Sequence, residues 1–250
     1  MSKGDRDRKS AQARKIVEAQ KAAERRRKVT IWTTVAVVAV LVIAGGIGWG
    51  VLASQNKKTE ASQVTTPSVA VDEGTAFAVG TGPVTVDLYE DFMCPICNQF
   101  EQQTGPTIKQ MVTDKRVTVR YHPVAILDEA SNGTKYSTRS GGAAAAAAVD
   151  GKFTEYHDVL YANQPEEGSS GLTDAKLIEL GKSVGLGASF ETAVNDKTYD
   201  NWMTKVTDTF ASRGFNGTPT IVVNGKQVEG PNNTLPTTAV FEQAVQAAEG

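Results

Sequence analysis

The stretch Cys94-Pro95-Ile96-Cys97 constrains this chain more than any other. It holds the only two cysteines in 250 residues, and two residues separate them. Thiols at that spacing close a small disulfide ring or stand side by side as a dithiol, and so can cycle between the two states. Ahead of them, Val84-Thr85-Val86-Asp87-Leu88-Tyr89 alternates with period two and is rich in β-branched residues, which predicts a strand. Behind them, Asn98-Gln99-Phe100-Glu101-Gln102-Gln103 reads as the first turns of a helix. The pair falls where a strand runs into a helix N-terminus.

At that position Cys94 occupies the N-cap region and Cys97 lies one turn inside. Unpaired backbone N–H groups and the positive end of the helix dipole then favour a Cys94 thiolate. Such sites lower a cysteine pKa from about 8.5 to between roughly 7.5 and 3.5. Stabilising the reduced form in this way makes the disulfide a stronger oxidant. A structural staple is the plainer reading, but a four-residue ring contributes only roughly 2 kcal/mol by loop entropy. A zinc reading needs two further ligands. The only histidines are His122 and His157, and neither forms a spaced pair with another ligand type. Redox cycling of the pair is the chemistry expected, with no cofactor and no metal.

Charge is distributed unevenly. Residues 1–29 carry eleven Lys or Arg against four Asp or Glu, a net +7, although the whole chain is −2. No aromatic residue is interleaved with those charges, which argues against a nucleic-acid arm. The next segment explains them. Thr30 to Ala53 holds no charged residue, with Trp32 and Trp49 near its two ends. As a helix it spans about 36 Å, enough for a hydrocarbon core of roughly 30 Å. Arg25-Arg26-Arg27-Lys28 abuts one end and only Lys57-Lys58 follows the other. The positive-inside rule puts the N-terminus in the cytoplasm and the bulk of the chain outside. A cleaved signal peptide ending near Val51-Leu52-Ala53 is the rival, but its apolar core is about 7–15 residues and this run is longer. Either way the cysteines reach a compartment where disulfides persist.

The domain plan is therefore a basic cytoplasmic leader at 1–29, one transmembrane helix at 30–53, a Ser/Thr/Gln/Lys linker at 54–72, and one globular domain at 73–250. Within that domain the pattern predicts strands at Val84–Tyr89 and Val117–His122 and a short one around Thr75–Val79. A helix from Cys94 to about Asp114 is expected to bend at Gly105-Pro106. Further helices are expected over Ser140–Ala162, Thr173–Val184, Ala188–Asn195 and Asp200–Arg213. A strand at Thr218–Val223 turns at Asn224-Gly225 and returns through Lys226-Gln227-Val228, and a terminal helix spans Pro236–Ala248. The Ala143–Ala148 run reads as close helix packing.

Gly217-Thr218-Pro219-Thr220 is the second informative stretch. Proline at a strand start removes a ladder donor; the dipeptide alone reads as an ordinary trans turn, and only its place after the cysteine pair favours a cis Thr218-Pro219 bond that would turn the preceding backbone towards the cysteines. Three blocks carry a resemblance: Asp91-Phe92-Met93-Cys94-Pro95-Ile96-Cys97, Gly151-Lys152-Phe153-Thr154-Glu155-Tyr156-His157, and Gly214 to Gly225. In this order they resemble DsbA-like thioredoxin-fold thiol:disulfide oxidoreductases, in particular the membrane-tethered bacterial members. The resemblance covers about residues 73–248. It implies an α/β fold, a thioredoxin sheet with a helical insertion at 140–213, preceded here by the transmembrane helix.

The resemblance also implies roles. Cys94 matches the exposed nucleophile and Cys97 the buried resolving cysteine. Pro95 and Ile96 match the dipeptide that tunes the redox potential. Pro219 matches the cis-proline facing the disulfide, and Thr218 the residue before it that helps hold substrate. The chain departs from the pattern in places. Strongly oxidising relatives often carry His where Ile96 stands, so a pKa above the family's lowest is expected for Cys94. Many members place a buried acid six residues before the first cysteine, where this chain has Leu88. Glu90 and Asp91 are near, and the sequence leaves their direction open. His157 is read as a packing or surface histidine and His122 as structural.

The expected function is a membrane-anchored, extracytoplasmic oxidoreductase, a monomer, that introduces disulfides into reduced exported proteins. A membrane quinone oxidoreductase of the DsbB or VKOR type is the implied reoxidising partner. A reductase or isomerase of the same fold is one alternative, and a non-catalytic thioredoxin-like binding module is another.

Overall fold

The computed structural model describes residues 64–250. The expected leader, transmembrane span and first part of the linker, through residue 63, lie outside the described residues. Among the described residues no helix is long and apolar enough to cross a membrane. From Val64 onward the chain packs on the domain: Val64 and Ala70 rest against the core, and Asp72 is ion-paired with Arg120 and Arg213.

A five-stranded sheet organises the domain, in the order β1-β3-β2-β4-β5. The strands are β1 (Phe77–Gly80), β2 (Val84–Glu90), β3 (Val117–Pro123), β4 (Thr220–Val223) and β5 (Lys226–Gln227). β2 and β3 are parallel, with Val84 opposite Val117 and Glu90 opposite Pro123. β1 and β4 flank that pair antiparallel. Val84, Val86 and Leu88 on β2 and Val117 and Val119 on β3 are all buried. Asp87 and Tyr89 on β2 and His122 on β3, which point to the opposite face, are buried as well, so the central strands are covered on both faces. The β4–β5 turn has Asn224 and Gly225 both at positive φ, the backbone of a type I′ hairpin.

Helix α1 (Pro95–Thr113) starts directly after β2. Pro106, where the sequence predicts a bend, lies inside this one continuous helix. The C-terminal helix α7 (Thr238–Glu249) packs beside it, with Phe100 and Phe241 edge-on at 6.2 Å between ring centroids. Its start is capped by Thr237, whose side chain accepts from the Val240 N–H.

Between β3 and β4 lie α2 (Tyr136–Val149), α3 (Phe153–Ala162), α4 (Asp174–Ser183), α5 (Ala188–Asn195) and α6 (Asp200–Ser212). The pattern over Ser140–Ala162 predicted one helix; the chain makes two. Gly151 at φ +73 ends α2, its N–H bonding to the Ala148 carbonyl and the Lys152 N–H to that of Ala147. Residues Ala143–Ala148 are all buried at the centre of the helical cluster. The approach there is close: a Cβ on Gly141 would stand 2.3 Å from the Met203 side chain on α6.

Candidate active site

The two cysteines take unequal places at the start of α1. Cys94 is the N-cap residue, with extended φ/ψ of −75° and 115°, and Pro95 takes the first helical turn. Proline suits that turn because its missing N–H would have no partner there. Ile96 is 46% exposed beside the pair, and Cys97 is fully buried. Both sulfurs are free thiols. Across from Cys94 stands the Thr218-Pro219 peptide, which is cis, as the family resemblance implied and the dipeptide alone did not. In its protonated form the Cys94 thiol donates to the Thr218 carbonyl oxygen at 3.3 Å.

The electrostatics divide the pair. A hydrogen bond from the Cys97 thiol is the largest influence on Cys94. Burial opposes it, and hydrogen bonds from the Thr218 side chain and the backbone of Cys97 and Ile96 add to it, bringing the Cys94 pKa down to about 6. Burial holds the Cys97 thiol well above its usual range, and the neighbouring Cys94 and Glu90 reinforce that. Cys94 thus ionises far more readily than Cys97, although both side chains are buried.

The loop carrying Cys94 is held from both sides. Asp91 is fully buried. Its Oδ1 accepts the Met93 N–H at 2.9 Å and the Ser137 hydroxyl at 2.6 Å, and its Oδ2 accepts the Leu127 N–H at 2.9 Å. Burial raises its pKa to about 6 against those three donors. Gln164, just past α3, donates from Nε2 to the carbonyls of Phe92 at 3.1 Å and Cys94 at 2.9 Å, and accepts from Asn98 at 3.1 Å. The helical insertion therefore grips the first turn of α1. Sequence reasoning missed Gln164, and no local signal marks it. Asp91 lay within the quoted motif, but its inward direction was not legible.

Glu90 also turns inward. Its Oε2 lies 3.1 Å from His157 Nε2. His157 is 3% exposed, not a surface residue. With Phe153 and Tyr161 it repeats at intervals of four on the buried face of α3. Burial opposes charge on this imidazole, but hydrogen bonds to Asp158 and Glu90 outweigh it and raise its pKa. His122 is structural as expected: it is buried, stacks on Tyr89 with centroids 4.2 Å apart, and bonds Asp87 at 3.1 Å.

A groove of about 460 Å³ opens beside the cysteines, lined by Ile96, Phe215, Thr218, Pro219, Val228 and Leu235 among others. The structure thus brings Cys94, Pro95, Ile96, Cys97, Thr218 and Pro219 into one site. Cys94 is itself only 6% exposed, not the exposed nucleophile expected, because the Thr218-Pro219 peptide lies over it; a chain in the groove would meet it beside Thr218 and Pro219.

Comparison with known proteins agrees. The family model described as Thioredoxin matches residues 75–242. The reduced form of the disulfide bond oxidoreductase DsbG from Mycobacterium tuberculosis is 31% identical, superposes with a TM-score of 0.61, and covers 72% of this chain and 89% of its own. Oxidised DsbA from the same organism is 32% identical at a TM-score of 0.60, covering 70% of this chain and 93% of its own. Among curated proteins, the serine/threonine-protein kinase PknE of M. tuberculosis is 29% identical over 161 residues, 60% of this chain. The chain spans only 28% of that kinase's length. A strand-to-helix CxxC facing a cis-proline, on a sheet matched by these structures, places the chain in the thioredoxin family, among its DsbA-like thiol:disulfide oxidoreductases.

Proposed function

We propose that the protein is a membrane-anchored oxidase that introduces disulfides into reduced proteins outside the cytoplasm. The observation that carries this reading is geometric: Cys94 caps the N-terminus of α1 against the cis Thr218-Pro219 peptide, with Cys97 one turn deeper, an arrangement that brings the Cys94 pKa down to about 6 and holds that of Cys97 well above its usual range. A low nucleophile pKa stabilises the dithiol and so drives electrons from substrate to enzyme. In the oxidised enzyme a substrate thiolate attacks Cys94 Sγ. The Cys94–Cys97 bond breaks, a substrate–Cys94 bond forms, and Cys97 leaves as a thiolate that takes up a proton. A second substrate thiolate then attacks the substrate sulfur of that mixed disulfide. Cys94 departs readily because its thiolate is stable, the substrate leaves with a disulfide, and the enzyme pair carries its two electrons.

Thr218 and Pro219 would hold the substrate backbone beside Cys94, and Ile96 would offer an apolar contact at the groove mouth. Pro95 and Ile96 set the potential. Anchoring rests on the uncharged run at 30–53 behind a leader of net +7, with the N-terminus in the cytoplasm. Tethering would keep the domain within reach of a DsbB- or VKOR-type quinone partner in the same membrane. The protein would work as a monomer.

Redox titration of the purified chain against glutathione tests the direction of transfer. The expected potential is more oxidising than about −200 mV, between thioredoxin near −270 mV and DsbA near −120 mV. A value at thioredoxin's level would make the protein a reductase.

A further inference from the structure

Behind Cys97 three side chains converge from three elements. Glu90 ends β2, Glu101 sits in the second turn of α1, and His157 lies on α3. One ligating atom from each lies within 4.8 Å of the other two. The Glu90 side chain is only 5% exposed, and its Oε1 has no hydrogen-bond partner. Glu101 Oε1 is likewise buried without a partner. Burying two carboxyls side by side is costly; without a metal ion a proton on Glu101, whose pKa burial and Glu90 raise to about 8, is what lets them share the space.

Among the described residues the one cation at hand, His157, is shared between Glu90 and Asp158 and makes no ion pair with Glu101. The other acid–histidine group in the domain behaves differently. There Asp87 receives Arg120 and His122, and Asp72 receives Arg120 and Arg213. Two guanidinium groups already satisfy those carboxylates and would repel a metal ion. The contrast singles out the trio behind Cys97.

Two further details bear on a bound ion. The Nδ1 of His157 lies 3.7 Å from Asp158 Oδ1, and Asp158 is itself held by Lys109 at 2.6 Å. At that distance the carboxylate draws positive charge to the far side of the ring but is too long a contact to lock its orientation. Gly105 makes room for Glu101: a Cβ there would stand 2.8 Å from Glu101 Oε2.

We propose that Glu90, Glu101 and His157 form a binding site for one divalent transition-metal ion of the zinc or manganese type. Two carboxylate oxygens and one imidazole nitrogen suit such an ion better than calcium or magnesium, which favour all-oxygen sets. Zinc ligands at about 2.0–2.2 Å stand about 3.4 Å apart in a tetrahedron. Glu90 Oε2 and His157 Nε2, at 3.1 Å, are already at that spacing. A doubly charged ion would neutralise both carboxylates with the imidazole uncharged. The site uses no thiol, so it differs from a zinc ion captured by a reduced CxxC. It would clamp the sheet and α1 to α3 of the helical insertion.

The test is equilibrium dialysis of the untagged full chain carrying Cys94→Ser and Cys97→Ser against zinc chloride, with manganese, magnesium and calcium in parallel. One zinc or manganese per chain is expected, with a thermal midpoint raised by about 5 °C at a hundredfold excess over Kd. Glu101→Gln and His157→Gln in that background should each weaken binding at least tenfold. Glu101→Gln should keep its metal-free midpoint, since an amide N–H can take over the hydrogen bond to Glu90, which separates lost binding from lost folding. Absence of zinc and manganese binding would overturn the proposal. So would binding that both substitutions leave unchanged, or a site that takes only calcium or magnesium.

Discussion

The hydrogen bond from the Cys97 thiol is the largest influence lowering the Cys94 pKa, and it can be removed without touching Cys94. Cys97→Ala deletes the donor, whereas Cys97→Ser keeps an O–H in the same place. Both variants leave Cys94 as the single cysteine, so iodoacetamide labelling reads that sulfur alone. A hydrogen bond to a charged group contributes about 1.5–3 kcal/mol, which corresponds to about one to two pKa units. The serine variant should therefore titrate near 6, where Cys94 stands now, and the alanine variant at about 7 to 8. At pH 6 labelling of the serine variant should run at about half its plateau rate, and that of the alanine variant at under about a tenth of its own. Equal pKa values in the two variants would refute the reasoning, and the helix terminus and backbone N–H groups alone would then account for the thiolate.

Other consequences are as accessible. The depressed Cys94 pKa stabilises the reduced fold fully above the ordinary thiol pKa of about 8.5, and that contribution is lost as pH falls through about 6. At full strength the interval is about 3 kcal/mol, and solvent screening leaves about half; urea melts of the reduced protein from pH 9 to pH 5 should show the decline, and melts of the oxidised protein should lack this component. Gln164→Ala leaves the Phe92 and Cys94 carbonyls without their side-chain donor, so it should cost about 1–2 kcal/mol and speed amide exchange in the first turn of α1. Gly171→Ala would set a Cβ 2.3 Å from the Tyr136 ring on a backbone at φ +66°, and chemical denaturation should show a loss of about 3 kcal/mol.

Much of this site was legible because its causes are local. A strand, two residues of spacing and a helix start place Cys94 at the N-cap and Cys97 inside, whatever the rest of the chain does. The Thr218-Pro219 contact is 124 residues away. It was reached through a resemblance of ordered blocks, not through periodicity. The split of the predicted Ser140–Ala162 helix was not legible: a lone Gly151 within an apolar pattern is compatible with a continuous helix until its φ is known.

The sequence alone determined which atoms carry the chemistry, since sulfur spacing and helix-terminus electrostatics act within a few residues. Tertiary structure alone decided what surrounds them. Gln164 reaches the Cys94 carbonyl from 70 residues away, and Glu90 meets His157 across 67. A buried polar side chain takes its direction from whichever partner its helix or strand is packed against, and no spacing along the chain encodes that partner.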